Sequence, residues 1–284
     1  MNKHAANDGD VLKHLLLAEL VHLERSRLRT YVDTHAGLPW NDLSQTGYRF
    51  NRRRAGRRWW ADDFMKAANA GSLGPQVKNA QYTKLLAKTF WINGHVAPQP
   101  LYPGSVGVVQ AVAQNVHEWL LAEAQTSDRR ALRRAAVGAT VVPSLLSPSV
   151  KLVTKLRGAI GPQCMVFVDL FRLAANGWVV PDARHARRFI VYAARAGALV
   201  MAWYPLSRPD TPREIERRVW EPLGEAPLQP TYRLKVEVRW LPNSRSQAMS
   251  GAGVIIANAT AGTGQQLSSI AEGLARNGWA LTIQ

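Results

Sequence analysis

Cysteine is almost missing from this chain of 284 residues, Cys164 being its one copy. That excludes an internal disulfide and any Cys-x-x-Cys zinc or redox motif. Cys164 stands in the apolar run Gln163-Cys164-Met165-Val166-Phe167-Val168, where a small core side chain is expected. Long hydrophobic runs are missing too. No stretch reaches the roughly 18 to 20 uncharged residues that a membrane-spanning helix needs, and the N-terminus opens on Lys3, His4, Asp8 and Asp10 rather than on a signal peptide's apolar segment. A cytoplasmic protein without a membrane partner is expected. Acidic residues are scarce: 20 Asp and Glu stand against 36 Lys and Arg, a net charge of +16. Net charge speaks to association and not to fold, and this excess implies a polyanionic partner. His4, His14, His22 and His35 have no cysteine or carboxylate grouping that fixes a metal, Gly262-Thr263-Gly264 lacks the lysine of a phosphate loop, and no metal is expected.

What is present is an alternation of helical and strand patterns. Residues 11–25 place apolar side chains at helical spacing behind Asn7 or Asp8 as a cap. Residues 30–33 read as the first strand, which breaks into a loop at Gly37. The pattern then dissolves until Pro98-Gln99-Pro100, so residues 46–99 are expected to form a helical, basic insertion subdomain. Alternation resumes at Pro103-Gly104-Ser105, with strands expected at 119–123, 140–142, 165–169, 198–204, 232–240 and 253–257. Helices are expected between them and at 265–277. Residues 1–45 and 100–284 thus read as one α/β domain, a mostly parallel, doubly wound and twisted sheet whose last pair of strands suits an antiparallel edge.

In open sheets of this kind ligands bind at the carboxyl ends of strands. The loop Asp33-Thr34-His35-Ala36-Gly37 and Glu123 both stand at such ends. An acid after the second strand normally accepts hydrogen bonds from ribose hydroxyls, and backbone N–H groups around Gly37 suit a carboxylate or phosphate. Plainer roles are open for each: a turn-capping Asp33, a loop histidine at His35, a solvated Glu123. In the insertion, Arg49, Arg52, Arg53, Arg54, Arg57 and Arg58 precede Trp59 and Trp60, joining phosphate neutralisation to rings able to stack on unpaired bases. A solvated helix face with a tryptophan packed inward is the alternative. Arg129-Arg130 with Arg133-Arg134, and Arg184 with Arg187-Arg188, fit solvated helix faces.

Several segments together resemble a known family: residues 4–14 (His-Ala-Ala-Asn-Asp-Gly-Asp-Val-Leu-Lys-His), Tyr31 to Gly37, Tyr102-Pro103-Gly104-Ser105, Glu123 with Ser127-Asp128, Trp203-Tyr204-Pro205 and Met249 to Asn258. The likeness, collinear and nearly full length, is to the bacterial 23S ribosomal RNA adenine-N6 methyltransferases formerly described as proteins of external-DNA catabolism. It implies a Rossmann-like class I methyltransferase fold with a helical insertion and S-adenosylmethionine as cofactor. It further implies that Lys13, His14 and His35 line the methionine end of that cofactor, with Ser105 nearby, that Glu123 holds the ribose, and that Asp169 faces both the methyl group and the target amine. The partner implied is ribosomal RNA, single-stranded or unfolded at the target.

The chain also departs from the pattern. Adenine-N6 enzymes of this kind usually carry Asp-Pro-Pro-Tyr after the fourth strand, where acid and proline carbonyl hold the amine and the ring stacks on the flipped base. Here the run is Asp169-Leu170-Phe171-Arg172. Phe171 is then the candidate for stacking, and Leu170 lacks the fixed φ that would aim its carbonyl. The family's tyrosine and histidine ahead of the segment matching His4, and its acid for the adenine end of the cofactor near Val142-Pro143-Ser144, have no counterpart. Two readings are therefore open, a methyltransferase and a catalytically impaired relative serving as an RNA-binding module or assembly factor. DNA or a small amine as acceptor is a third.

Overall fold

The computed structural model describes residues 8–44, 60–143, 158–169, 181–206, 211–224, 232–239, 251–275 and 280–284. Helix α1 (Asp8–Glu24) is followed by β1 (Thr30–Asp33) and β2 (Trp40–Asp42). Helices α2 (Trp60–Asn69), α3 (Gly74–Lys78) and α4 (Gln81–Thr89), with the short strands β3 (Trp91–Ile92) and β4 (His95–Val96), occupy the described part of the insertion. There follow β5 (Leu101–Pro103), α5 (Ser105–Val112), β6 (Glu118–Ala122), α6 (Thr126–Ala135), β7 (Thr140–Val142), β8 (Cys164–Asp169), α7 (Pro181–Arg195) and β9 (Leu199–Pro205). Helix α8 (Thr211–Ile215) runs through a π-helical turn (Glu216–Trp220) into α9 (Glu221–Gly224), and β10 (Tyr232–Arg239), β11 (Gly251–Ala259), α10 (Ala261–Ala275) and β12 (Ala280–Ile283) complete the order.

Eight strands form one sheet in the order β12-β10-β11-β9-β8-β1-β6-β7. β7, β6, β1, β8 and β9 pair in parallel, whereas β11 is antiparallel to β9 and β10, and β12 antiparallel to β10. Numbered along the chain, the parallel strands lie in the order 3-2-1-4-5 of nucleotide-binding sheets, with the reversal of direction between β1 and β8. The antiparallel pair expected at the edge exists, but β11 lies inward, between β9 and β10. All nine of its residues are buried, which suits an interior strand, and the edge is taken by β12, a strand the sequence pattern did not announce.

Helix α1 explains much of the packing. Every residue from Val11 to Val21 is buried, as expected of a helix covered on all sides. One side meets the sheet through Tyr31, Met165, Phe167 and Met201; the other meets Phe64, Tyr82, Leu86 and Phe90 of the insertion, all in one continuous core. Described insertion residues therefore share the core of the sheet. A second core on the opposite face joins Val32, Val166 and Val200 to Ile190 of α7 and to Ile215 and Val219. Cys164 lies buried at the start of β8, and burial pushes its thiol up to about 12, which keeps it protonated and inert. Asn258 near the end of β11 has φ +63°, a left-handed conformation that asparagine tolerates better than most residues. Its amide donates to Ala194 O and Ala198 O, each at 2.8 Å, and its carbonyl accepts from Arg27.

Candidate active site

At the reversal point β1 ends in Asp33, and the chain is then handed from strand to strand. Thr34 N donates to Phe167 O at 3.1 Å and Ala36 N to Ala122 O at 2.8 Å, so the loop lies across the carboxyl ends of β8 and β6. Asp33 has no exposure. It accepts hydrogen bonds from Ser105 Oγ (2.6 Å) and Tyr31 OH (3.0 Å) on one oxygen and from His35 N (2.9 Å) on the other. Burial still dominates, with the charge of Asp169 adding to it, and the three donors only partly offset the two; the carboxyl is pushed up to about 6.

Gly37 turns the loop with φ +58°, and an added Cβ there would meet nothing within 4 Å. Its N–H donates to Glu123 Oε2 at 3.1 Å, while Glu123 Oε1 accepts from Gln125 N at 2.6 Å. Beyond Gly37 the backbone presses on α5 so closely that a Cβ on Gly104 would stand 2.2 Å from Leu38 O, and one on Gly107 2.2 Å from Pro39 O. The Pro-Gly-Ser segment is thus explained by contact: glycine admits the loop, and Ser105 in the first turn of α5 reaches Asp33.

From α1, Lys13 Nζ meets Asp169 Oδ2 at 2.6 Å and Asp10 Oδ1 at 2.8 Å, and lies 5.1 Å from the Trp203 ring centroid. Burial disfavours this ammonium, but the two carboxylates outweigh it and hold Lys13 above the usual lysine range. Trp203 is the register partner of Asp169 across β8 and β9. His14 turns toward the insertion instead: its Nδ1 lies 3.4 Å from Tyr102 OH, which accepts from Tyr82 OH at 2.6 Å. Burial and the neighbouring Lys13 charge lower His14 well below the usual histidine range, so it is a neutral hydrogen-bonding group at pH 7.

The structure therefore joins Lys13 to Asp169, Ser105 to Asp33, and Glu123 to the Gly37 loop. His35 is half-buried beside Thr34, whose Oγ1 is 2.8 Å from its Nδ1. Phe171, Arg52, Arg53, Arg54, Arg57, Arg58 and Trp59 lie outside the described residues; Trp60 opens α2, with its side chain outside them. Not assigned from sequence were Asp10, Tyr31, Tyr82, Tyr102 and Trp203. A signal existed for two of them, since Asp10 stands one helical turn before Lys13 and Tyr31 shares a strand face with Asp33. Among the described residues no group of three His, Cys, Asp or Glu side chains could hold a metal ion, and no helix is long and apolar enough to cross a membrane.

No protein-family model matches the sequence, and none of the curated proteins does. Among solved structures, the crystal structure of protein LPL1258 from Legionella pneumophila, described under the family model DUF519, matches with a TM-score of 0.67 over 99% of this chain and 98% of that one. The two are 18% identical, so the likeness establishes a shared fold: a mixed α/β architecture on a large, mostly parallel sheet.

Proposed function

We propose that the chain is an S-adenosylmethionine-dependent methyltransferase with a Rossmann-like class I fold, acting on adenine N6 of 23S ribosomal RNA at a single-stranded or unfolded target. The observation that carries this reading is the meeting of the Gly37 loop with Glu123, Ser105 with Asp33, and Asp169 with Lys13 at the carboxyl ends of β1, β6 and β8. The residues fit such a cofactor on two points. Gly37 leaves open space where a side chain would stand, and Glu123 uses each oxygen for one backbone N–H, leaving lone pairs for ribose hydroxyls. Lys13 takes a role other than neutralising a cofactor carboxylate: with Asp10 and Asp169 it forms a trio of net charge −1, better matched to the cationic amine and sulfur of the cofactor. The cofactor supplies a methyl group already activated on positive sulfur. Asp169, with one oxygen fixed by Lys13, accepts a hydrogen bond from the exocyclic amine through the other and aims the nitrogen lone pair; such positioning supplies most of the acceleration. His14 and His35 contribute neutral hydrogen-bonding groups, Phe171 a ring for stacking, and Arg52, Arg53, Arg54, Arg57, Arg58, Trp59 and Trp60 a contact for the RNA strand.

A second reading, a non-catalytic RNA-binding relative or assembly factor, is favoured by one observation: Leu170-Phe171-Arg172 follow Asp169 where proline and tyrosine would hold the base. Calorimetric titration with S-adenosylmethionine, then incubation with unmodified ribosomal RNA, separates the two. Methyl transfer that falls by about 10²-fold or more in Asp169→Asn, with RNA affinity unchanged, is expected. Cofactor binding without turnover carries the second reading, and failure to bind the cofactor overturns the proposal.

A further inference from the structure

On the sheet face opposite α1, outside the candidate site, α7 packs against the π-helical turn and brings together an unbalanced set of guanidiniums. Arg218 donates through Nε to one Glu214 oxygen, and Arg217 reaches the other at 3.2 Å, so this one carboxylate serves two cations. Arg187 of α7, 6% exposed, faces the same three side chains: burial, then the charges of Arg218 and Arg217, weaken its hold on its proton, against the pull of Glu214. Arg187, Arg217, Arg218 and Glu214 thus sum to +2. The next acid along the turn, Glu216, is committed to the buried Lys235, and Arg233 adds a further cation 4.7 Å from the Trp220 ring centroid. Gathering like charges in a half-desolvated place costs free energy that an arriving anion relieves. The guanidinium fork matches the paired oxygens of a phosphodiester. Independently, the segment is wound as a π turn, with Glu221 N donating to Glu216 O, a conformation that recurs at functional sites.

We propose that the Arg187, Arg217 and Arg218 cluster is a second nucleic-acid contact, which takes a backbone phosphodiester of the RNA strand on the face away from the insertion. It rests on the RNA part of the function proposed above and not on methyl transfer. The arrangement reads no base, so it adds affinity and register without sequence preference.

The test is the affinity of the full chain for a fluorescent single-stranded ribo-oligonucleotide over a series of KCl concentrations. A deoxy strand of the same sequence and phosphatidylserine vesicles run alongside. Arg217→Ala, at a side chain 65% exposed and hence safe for folding, is expected to weaken strand binding several-fold and to reduce the slope of log K against log salt by about 0.7. The deoxy strand should lose the same slope, since phosphate contacts ignore the 2′-hydroxyl. Glu214→Gln is expected to tighten binding. Circular dichroism and thermal melting should match the unsubstituted chain for both variants. An unchanged salt slope in a well-folded Arg217→Ala, weaker binding in Glu214→Gln, or an effect confined to vesicles would overturn the proposal. A chain that binds RNA through Arg217 yet binds no cofactor defeats methyl transfer alone; one that methylates with an unchanged slope defeats this contact alone.

Discussion

Asp33 shows how far burial can move a single residue's chemistry. Its carboxyl ionises at 3.8 when unperturbed and at about 6 in the fold, so between those values the native chain holds a proton that the unfolded chain has released. The stability this confers is fully present below about pH 4, declines as pH rises toward 6, and is lost above it; the difference amounts to about 3 kcal/mol. Asp33→Asn removes the titration, and its urea midpoint is expected to lose the decline between about pH 4 and 6 that the unsubstituted chain shows. An equally steep decline in the variant would place the titrating group elsewhere. The glycines of the same loop make a contrasting pair. Gly107→Ala gains about 1 kcal/mol of helix propensity, but its Cβ meets Pro39 O at 2.2 Å, and the shift needed costs more, for a net loss of about 1–3 kcal/mol. Gly37→Ala meets nothing and bears only the left-handed penalty of about 1 kcal/mol. Thermal melts of the two variants should rank in that order.

Among the elements, α1 acts as a hub because its acids cap other helices from a distance. Glu24 accepts Thr260 N at 2.7 Å just before α10 and Arg27 Nε at 2.8 Å, and Glu19 accepts Gln81 N at the start of α4. These N–H groups have no partner inside their own helices. Glu24→Ala should cost about 2 kcal/mol and speed hydrogen exchange of the Thr260 amide well beyond that of amides in β8. Equal acceleration at both would mean global loosening instead. The helical spacing of α1 was legible, as were β1, β7 and β8, because apolar period and turn residues are local signals. Its coverage on both sides was not, since what packs on a helix is chosen by distant segments. The small pairs β2 with β5 and β3 with β4, and the edge strand β12, escaped for the same reason: two to four residues carry no period, and pairing decides them. In the site, Glu123, Ser105 and the Gly37 loop could be placed from motif and strand end, whereas the Lys13–Asp169 ion pair joins residues 156 positions apart and emerges only from the fold.

For the molecule as a whole, the shared core counts for more than the boundaries of the insertion. Phe64, Tyr82, Leu86 and Phe90 pack in the same core as α1 and the sheet, and each buried side chain of this size contributes about 1.5–3 kcal/mol. The described insertion and the sheet are therefore expected to unfold together, with coincident urea midpoints for far-ultraviolet circular dichroism and for hydrogen exchange of peptides from α4 and β8. An earlier transition confined to α4 would reveal a separate unit. The two faces of the sheet are tied as well. Asn258 holds Arg27, just past α1, by its carbonyl, and the turn after α7 by its amide. One strand residue thus works as a rivet through the sheet: the layer bearing the ion-paired lysine and the layer bearing the arginine crowd cannot slide past each other, so a nucleic-acid strand gripped on one side would be held in fixed register with the chemistry on the other.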